Sequence, residues 1–343
     1  MIRRLLYLFF LVLVAILIVT RFTELEDIAA TILQADWRFL AVAFAVQLFL
    51  LLNNGFYFWT LYNGLGIRER TLRLTLLSSA GFAVGVLTPV AGTTSLAVFV
   101  ADGRLKGLPS GKITVAGVLS LLYDYLAFLA ILALGLIIFF RRNILSAREL
   151  VPTAILAAMA GGITYFIVVG LRSEVTLGNS LAKMTRLGNR MLKPLLRKEI
   201  FKEENAVKFA HETVEGLQEL RKKSKLAIIL PFVPSFVHKL LLMFILFLVF
   251  KAYQAPFSPG TIIAGFGIGY LFVIVSITPA GLGVVEGTFP LALTALGVPL
   301  GTAVIITLTY RAVTFWFPFL IGLWSLRRVL KPTRNENPTP SEI

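Results

Sequence analysis

The chain has 343 residues, of which 57% are hydrophobic, 15% are charged and none is cysteine. That composition excludes a soluble domain, and the missing thiols exclude disulfides and cysteine-bound metals. The formal net charge of +15 comes mainly from basic residues clustered between apolar segments, a pattern typical of cytoplasmic loops that predicts contact with anionic lipid and not with nucleic acid.

Apolar segments long enough to cross a hydrocarbon core of roughly 30 Å recur along the chain. We therefore predict an all-α polytopic membrane protein, a helical bundle with residues 1–343 in one membrane domain. Residues 5–19 follow Arg3 and Arg4 without a small-residue cleavage site after them, so they predict an uncleaved first helix with a cytoplasmic N-terminus. With only two histidines in the chain, we expect no zinc site, no serine–histidine triad and no cofactor.

The first predicted repeat covers residues 39–140, and its opening helix carries polar side chains. Residues 39–61 bring Gln47 and Asn54 into the membrane two helical turns apart, so both lie on one face of the helix. Polar residues on one face of a membrane helix are typical of hydrogen bonding between helices. We predict that role for this face.

A broken apolar segment follows at residues 74–100. Glycines and Pro89 interrupt it, and charged residues flank both ends. We predict a hairpin that enters from the cytoplasm and returns, with its tip between Pro89 and Gly92, because cationic loops at both ends favour the same side of the membrane. A single kinked span is the alternative. Residues 113–140 predict the next spanning helix, with Asp124 near its middle.

A long polar region joins the two halves. After a crossing at residues 151–171, residues 172–225 are strongly basic and repeat apolar residues at helical spacing. This pattern is typical of amphipathic helices on a membrane surface. We predict a cytoplasmic linker, with recruitment of anionic lipid as the alternative. Residues 331–343 contain several prolines and polar residues and predict a disordered cytoplasmic tail.

The second predicted repeat, residues 226–326, contains the most unusual stretch of the sequence. Residues 261–298 are apolar, but a proline, three glycines and a carboxylate break them near the centre: Pro279, Gly281, Gly283, Gly287 and Glu286. Lipid offers no hydrogen bonds to a broken backbone, so this pattern predicts a second hairpin whose tip is buried in protein or lines a cavity. The flanking helices carry Lys239 on one side and Arg311 on the other.

The two broken segments are alike in sequence and context. Each has a Gly-Phe-x-x-Gly sequence, beginning at Gly81 or Gly265, ahead of a Thr-Pro pair. Each is followed by a helix with a central charge, Asp124 or Arg311. The charge rule opens the first hairpin to the cytoplasm and the second to the outside. This arrangement predicts inverted repeats with a substrate site where the broken helices meet.

Asp124, Glu286 and Arg311 carry charges within predicted membrane segments. A charge at the bilayer centre costs about 2.5 to 3.5 kcal/mol on insertion scales, so each requires a partner or a function. One interpretation is an Asp124–Arg311 ion pair between the halves. The other makes Arg311 a ligand of phosphate oxygens, with Asp124 and Glu286 binding a cationic group or a coupling proton. Lys239 is then a second phosphate contact, or it extends to the membrane surface.

Two stretches of the second half carry a family signature. They are Ile277-Thr-Pro-Ala-Gly-Leu-Gly-Val-Val-Glu286, and Tyr310-Arg311 followed by Phe-Trp-Phe-Pro318. At these residues the chain resembles the integral-membrane region of the lysyl-phosphatidylglycerol synthase and flippase family, and the resemblance covers most of the sequence. It implies a multi-pass protein of a prokaryotic cytoplasmic membrane. The soluble aminoacyltransferase domain of two-part members has no counterpart here, so we expect a stand-alone transporter and not an enzyme.

We therefore predict a lipid translocase, a flippase or scramblase that passes a phospholipid or lipid-linked headgroup through a polar midplane cavity. The alternative is an integral-membrane glycosyl- or phosphotransferase, with Glu24, Glu26 and Asp27 holding a divalent metal. The partners this interpretation allows are phospholipids with an anionic or aminoacylated headgroup, a second copy of the chain, and a separate lipid-modifying enzyme. The residues predicted to bind the substrate are Arg311, Asp124, Glu286, Tyr310, Lys239, Pro279, Gly281, Gly283, Pro89, Gly92, Thr93 and Thr94.

Overall fold

The computed structural model describes residues 35–87, 93–141, 147–172, 218, 228–276 and 278–329. Over these residues the chain is helical and contains no strand, which confirms the predicted all-α class. The predicted helix at residues 5–19, nearly all of the linker at 172–225 and the tail at 331–343 lie outside the described residues. So do Pro89 and Gly92 at the predicted first tip.

The described helices follow the order expected from the apolar segments. In the first part of the chain they are α1 (Trp37–Gly64), α2 (Thr71–Leu87), α3 (Thr93–Leu105), α4 (Ser110–Arg141) and α5 (Ala147–Arg172). In the second part they are α6 (Phe232–Ala252), α7 (Pro259–Val275), α8 (Val284–Ala295), α9 (Leu300–Arg311) and α10 (Phe317–Val329). Among the described residues, four helical stretches are long and apolar enough to cross a membrane, namely α1, α4, α6 and the continuous run from α9 to α10.

The last spanning helix, from Leu300 to Val329, is not a regular α-helix throughout. A π-helical turn at Ala312–Trp316 joins α9 to α10, and the N–H of Phe317 donates to the carbonyl of Ala312. Pro318 explains the wider turn, because it has no N–H to donate and its ring would clash with the carbonyl of residue 314 in a regular α-helix. Such π-turns are frequent at functional sites.

The first broken segment forms two helices that lie side by side and antiparallel. Gly81 of α2 faces α3 so closely that an added Cβ would lie 2.9 Å from the carbonyl oxygen of Ser95. At the open ends of the arms, Arg73 donates to Asp102 over 2.5 Å. The two described arms therefore lie side by side, and that the segment is re-entrant stays a prediction. That both its ends lie on the cytoplasmic side stays a prediction.

The second broken segment has the same antiparallel form. An added Cβ at Gly265 of α7 would lie 2.7 Å from Leu293 of α8, and one at Gly269 would lie 2.7 Å from the ring of Phe289. The Gly-Phe-x-x-Gly sequence that occurs in both broken segments therefore has the same position in each hairpin, on the first arm and facing the second.

The two halves pack on each other through corresponding helices. The spanning helix α1 packs on α6, the first arm α2 packs on α10, and the first arm α7 packs on α4. In each half a spanning helix, two hairpin arms and a second spanning helix follow one another. Because each first arm packs on the last helix of the other half, residues of both halves meet at the centre. The inverted relation of the halves stays a prediction.

Candidate functional site

One cavity of about 260 Å³ lies where the two halves meet. Its wall contains residues of α1, α2, α4, α6, α7, the break of the second hairpin, α8, α9 and α10. Its polar lining residues are Gln47, Asn54, Ser78, Ser79, Asp124, His238, Tyr270, Tyr310, Arg311 and Thr314. Asp124 and Arg311, which the sequence placed in corresponding helices of the two halves, line the same cavity.

Arg311 lines the cavity and also binds the second hairpin. Its Nε donates to Glu286 over 2.8 Å, and one terminal nitrogen donates to the carbonyl oxygen of Ala280 over 3.2 Å. The guanidinium lies 4.2 Å from the ring centre of Phe315, a cation–π distance. Only 5% of Arg311 is exposed. Its planar fork therefore connects the last spanning helix to the break between α7 and α8.

The break itself holds its backbone in a left-handed conformation at three positions. Ala280, Gly281 and Gly283 have φ values of 50°, 74° and 80°. Glycine adopts this region freely, whereas alanine does so with strain. The N–H of Gly283 donates to Glu286 over 2.8 Å, so Glu286 caps the first turn of α8. Helix α8 begins at Val284, so Glu286 lies in the first turn of the helix and not in the irregular stretch.

Asp124 is paired with Lys239 and not with Arg311. The Nζ of Lys239 donates to Asp124 over 2.5 Å and to the hydroxyl of Tyr270 over 2.6 Å. The proposed Asp124–Arg311 pair is therefore wrong, because each charge has a different partner. Lys239 is fully buried, so it does not extend to the membrane surface. Asp124 lines the cavity, whereas Lys239, which donates to it, does not.

Polar residues connect α1 to α6 near these charges. Asn54 is 2.7 Å from Nδ1 of His238, and Asn53 donates to the carbonyl of Pro234 over 2.9 Å. These contacts confirm the predicted hydrogen bonding between helices. Gln47 lines the same cavity as Asn54, as their shared face predicted, but its Oε1 is buried without a hydrogen-bond partner among the described residues.

The remaining predicted residues lie around the second break. Tyr310 lines the cavity, with its ring edge-on to Phe289 at 5.8 Å. Pro279 and Gly281 bound a short 3₁₀ turn, and Gly283 is the exposed residue that precedes α8. Thr93 and Thr94 begin α3, and their side chains are outside the described set.

Sequence reasoning missed two residues that complete the site. The hydroxyl of Tyr270 accepts a hydrogen bond from Lys239. The sequence could have indicated this residue, because Tyr270 is the only phenol or charged group in the apolar helix α7. Ala280 contributes only its backbone carbonyl. No side-chain pattern could have indicated it, because the contact depends on the left-handed turn.

A metal site is not found in the described part of the chain. No group of three or more histidine or acidic residues there could hold a metal ion. The residues on which the transferase alternative depends, Glu24, Glu26 and Asp27, lie outside the described residues.

The helices and the cavity define a multi-pass membrane protein with charged residues at its centre. The chain belongs to the family of the lysylphosphatidylglycerol synthase transmembrane region, whose model matches residues 5–322. This membership confirms the resemblance carried by the second hairpin and indicates a role related to membrane lipid. No curated protein matches the chain.

Proposed function

We propose that this protein is a lipid translocase, in which the polar headgroup of a phospholipid passes through the cavity while the acyl chains stay in the bilayer. The observation that carries the proposal is the presence of Asp124 and Arg311, one from each half, on the wall of one cavity. Ionisable residues among membrane helices commonly mark the path of a polar substrate.

The size of the cavity suits a headgroup. Its volume of about 260 Å³ lies just below the range of about 300 to 1,000 Å³ typical of small-molecule sites. It has no room for two acyl chains in addition. Much of the rest of the wall is apolar, as with Leu50, Phe82 and Val273, so the few polar groups would determine how the headgroup is oriented.

The cavity wall contains residues of both charges, Asp124 and Arg311. Arg311 would hold the phosphate through donors of its planar guanidinium. Asp124 would face the distal end of the headgroup or a coupling cation. Since the sequence contains no Gly-x-x-x-x-Gly-Lys nucleotide loop, translocation would be downhill or coupled to an ion.

Leaflet exchange in proteoliposomes tests the proposal. The purified protein is reconstituted with short-chain fluorescent phospholipids, and the fraction of dye accessible to an outside quencher is followed with time. Wild-type protein should exchange lipid faster than protein-free liposomes. We expect Arg311→Ala and Asp124→Asn to slow exchange by about tenfold or more, the equivalent of roughly 1.4 kcal/mol of lost interaction. Arg104→Ala is the matched control, because Arg104 is exposed and does not line the cavity.

A charge exchange separates a structural role of Asp124 from a role in binding. Asp124→Lys combined with Lys239→Asp keeps the ion pair but places a cation at the cavity wall. If the double variant folds and transports normally, Asp124 serves only to pair with Lys239. In that case the cavity has no acidic group that binds the substrate. We expect a folded protein without transport. Absence of exchange by the wild type, over anionic, zwitterionic and aminoacylated lipids, would contradict the proposal as a whole.

A further inference from the structure

The central cavity contains a buried polar atom that the described residues leave without a partner. Gln47 on α1 lines the cavity and is 2% exposed, and its Oε1 has no hydrogen-bond partner among the described residues. Buried side-chain oxygens in native proteins nearly always accept a hydrogen bond, and an unpaired one calls for an explanation such as strain, a functional role or a bound water or ion. An amide oxygen can accept two hydrogen bonds, so Gln47 presents an unused acceptor.

Gln47 lies on α1 between a contact with the last spanning helix and a contact with α6. Three residues before it, Phe44 meets the ring of Phe317 at 5.1 Å, and Phe317 follows the π-turn that begins after Arg311. Two turns after Gln47, about 10 Å along the helix, Asn54 binds His238 next to Lys239. A headgroup whose phosphate is at Arg311 and whose distal end points towards Asp124 would therefore pass Gln47.

The serine and threonine hydroxyls of the cavity wall do not supply the missing donor. Ser78 and Ser79 both donate to the carbonyl of Thr75, and Thr314 donates to the carbonyl of Tyr310. These lining residues direct their hydrogens into their own helices. A molecule bound in the cavity could supply the donor that these three hydroxyls do not give to Gln47.

We propose that Gln47 determines headgroup specificity, and that its Oε1 accepts a hydrogen bond from an N–H or O–H group distal to the phosphate. The substrate class is thus a phospholipid whose headgroup ends in a primary ammonium or a hydroxyl, and a quaternary ammonium is disfavoured. A quaternary ammonium has the charge of a primary one but no hydrogen to donate, so charge alone does not account for the preference. This inference rests on the proposed function, because it assigns the cavity to a headgroup.

Binding of short-chain lipids to the detergent-solubilised protein tests the inference without requiring transport. Dihexanoyl phosphatidylethanolamine, phosphatidylglycerol and phosphatidylcholine are titrated, and dissociation constants are obtained from the shift in melting temperature. We expect the ethanolamine lipid to bind about tenfold more tightly than the choline lipid, the effect of one hydrogen bond to a charged group. The glycerol lipid distinguishes a hydroxyl donor from an ammonium donor. If the ethanolamine and glycerol lipids both bind more tightly than the choline lipid, either donor suffices. If only the ethanolamine lipid does, the donor must be an ammonium.

The variant Gln47→Met keeps the length of the side chain and removes the strong acceptor. It should bring the ratio of the two affinities close to one, and Gln47→Leu should do the same if the first variant folds poorly. Asn63→Met, at the exposed end of α1, should leave the ratio unchanged. The inference would be overturned if the wild type bound the ethanolamine and choline lipids equally, or if both Gln47 variants kept the wild-type ratio of the two affinities. It would also be overturned if no lipid bound. Leaflet exchange measured in parallel shows separately whether the proposed function fails.

Discussion

The guanidinium of Arg311 binds the break of the second hairpin, and Arg311 also lines the cavity. Two of its nitrogens bind Glu286 and the carbonyl of Ala280, while the residue also lines the cavity. A phosphate that entered the cavity would compete with Glu286 for the same donors. The residue that we assign to substrate binding is thus also the one that holds the hairpin break in place.

Arg311→Lys should destabilise the protein although it keeps the charge. A single ammonium cannot reproduce the planar contact with both Glu286 and Ala280, and hydrogen bonds to charged groups contribute about 1.5 to 3 kcal/mol. We expect a lower melting temperature in detergent. Glu286→Gln should lower it too, and the double variant should lose less than the sum of the single losses. Strictly additive losses would show that the two side chains do not interact.

The sequence predicted which residues would be central but not how they pair. The sequence placed Asp124 and Arg311 near the middle of the helices that follow the two broken segments, and both line the cavity. The partner of Asp124 depends on how α6 packs against α4. That packing brings together Lys239 and Asp124, which are 115 positions apart in the sequence. No local pattern encodes that contact. The free acceptor of Gln47 likewise follows from the packing around it.

At the scale of elements, the backbone of the second break is strained at one residue. Ala280 has a φ of 50°, in a region that disfavours a side chain by roughly 1 to 2 kcal/mol. Ala280→Gly should therefore raise the melting temperature, while Ala292→Gly within α8 should lower it, because glycine weakens a regular helix by about 1 kcal/mol. Equal effects of the two changes on thermal unfolding would contradict the left-handed turn.

The close contact of the hairpin arms gives a second test at this scale. An added Cβ at Gly269 would lie 2.7 Å from the ring of Phe289, whereas one at Gly287 would meet nothing within 4 Å. Gly269→Ala should destabilise the protein by about 1 to 3 kcal/mol, as overpacking does. Gly287→Ala is the matched control and should be neutral or slightly stabilising. Chemical unfolding of both variants provides the comparison, and equal stability would mean that α7 and α8 are not packed as described.

Element boundaries were predicted well where composition alone decides them. The predicted helix at residues 113–140 and the observed Ser110–Arg141 nearly coincide. Composition did not predict the details that local backbone contacts decide. Helix α8 begins at Val284 because Glu286 caps it, and the π-turn before Pro318 adapts the last spanning helix to the proline.

At the scale of the whole molecule, the inverted relation of the two hairpins is the main untested expectation. The chain contains no cysteine, so a single introduced cysteine is the only thiol of the protein that a maleimide can label. Arg104→Cys and Ala295→Cys place exposed thiols at the end of the second arm of each hairpin. We expect a membrane-impermeant maleimide to label residue 295 from outside intact cells and residue 104 only after permeabilisation. Labelling of both from the same side would contradict the inverted repeats.

The most direct test of the central claim is to fill the cavity and measure leaflet exchange. Ser78 lines the cavity, and Ser78→Trp would place an indole where the headgroup has to pass. Leu48→Trp, on the exposed face of α1, adds the same ring outside the cavity. We predict that Ser78→Trp folds but loses exchange, and that Leu48→Trp exchanges lipid at the wild-type rate. A folded Ser78→Trp protein that exchanges lipid as fast as the wild type would contradict a path through this cavity.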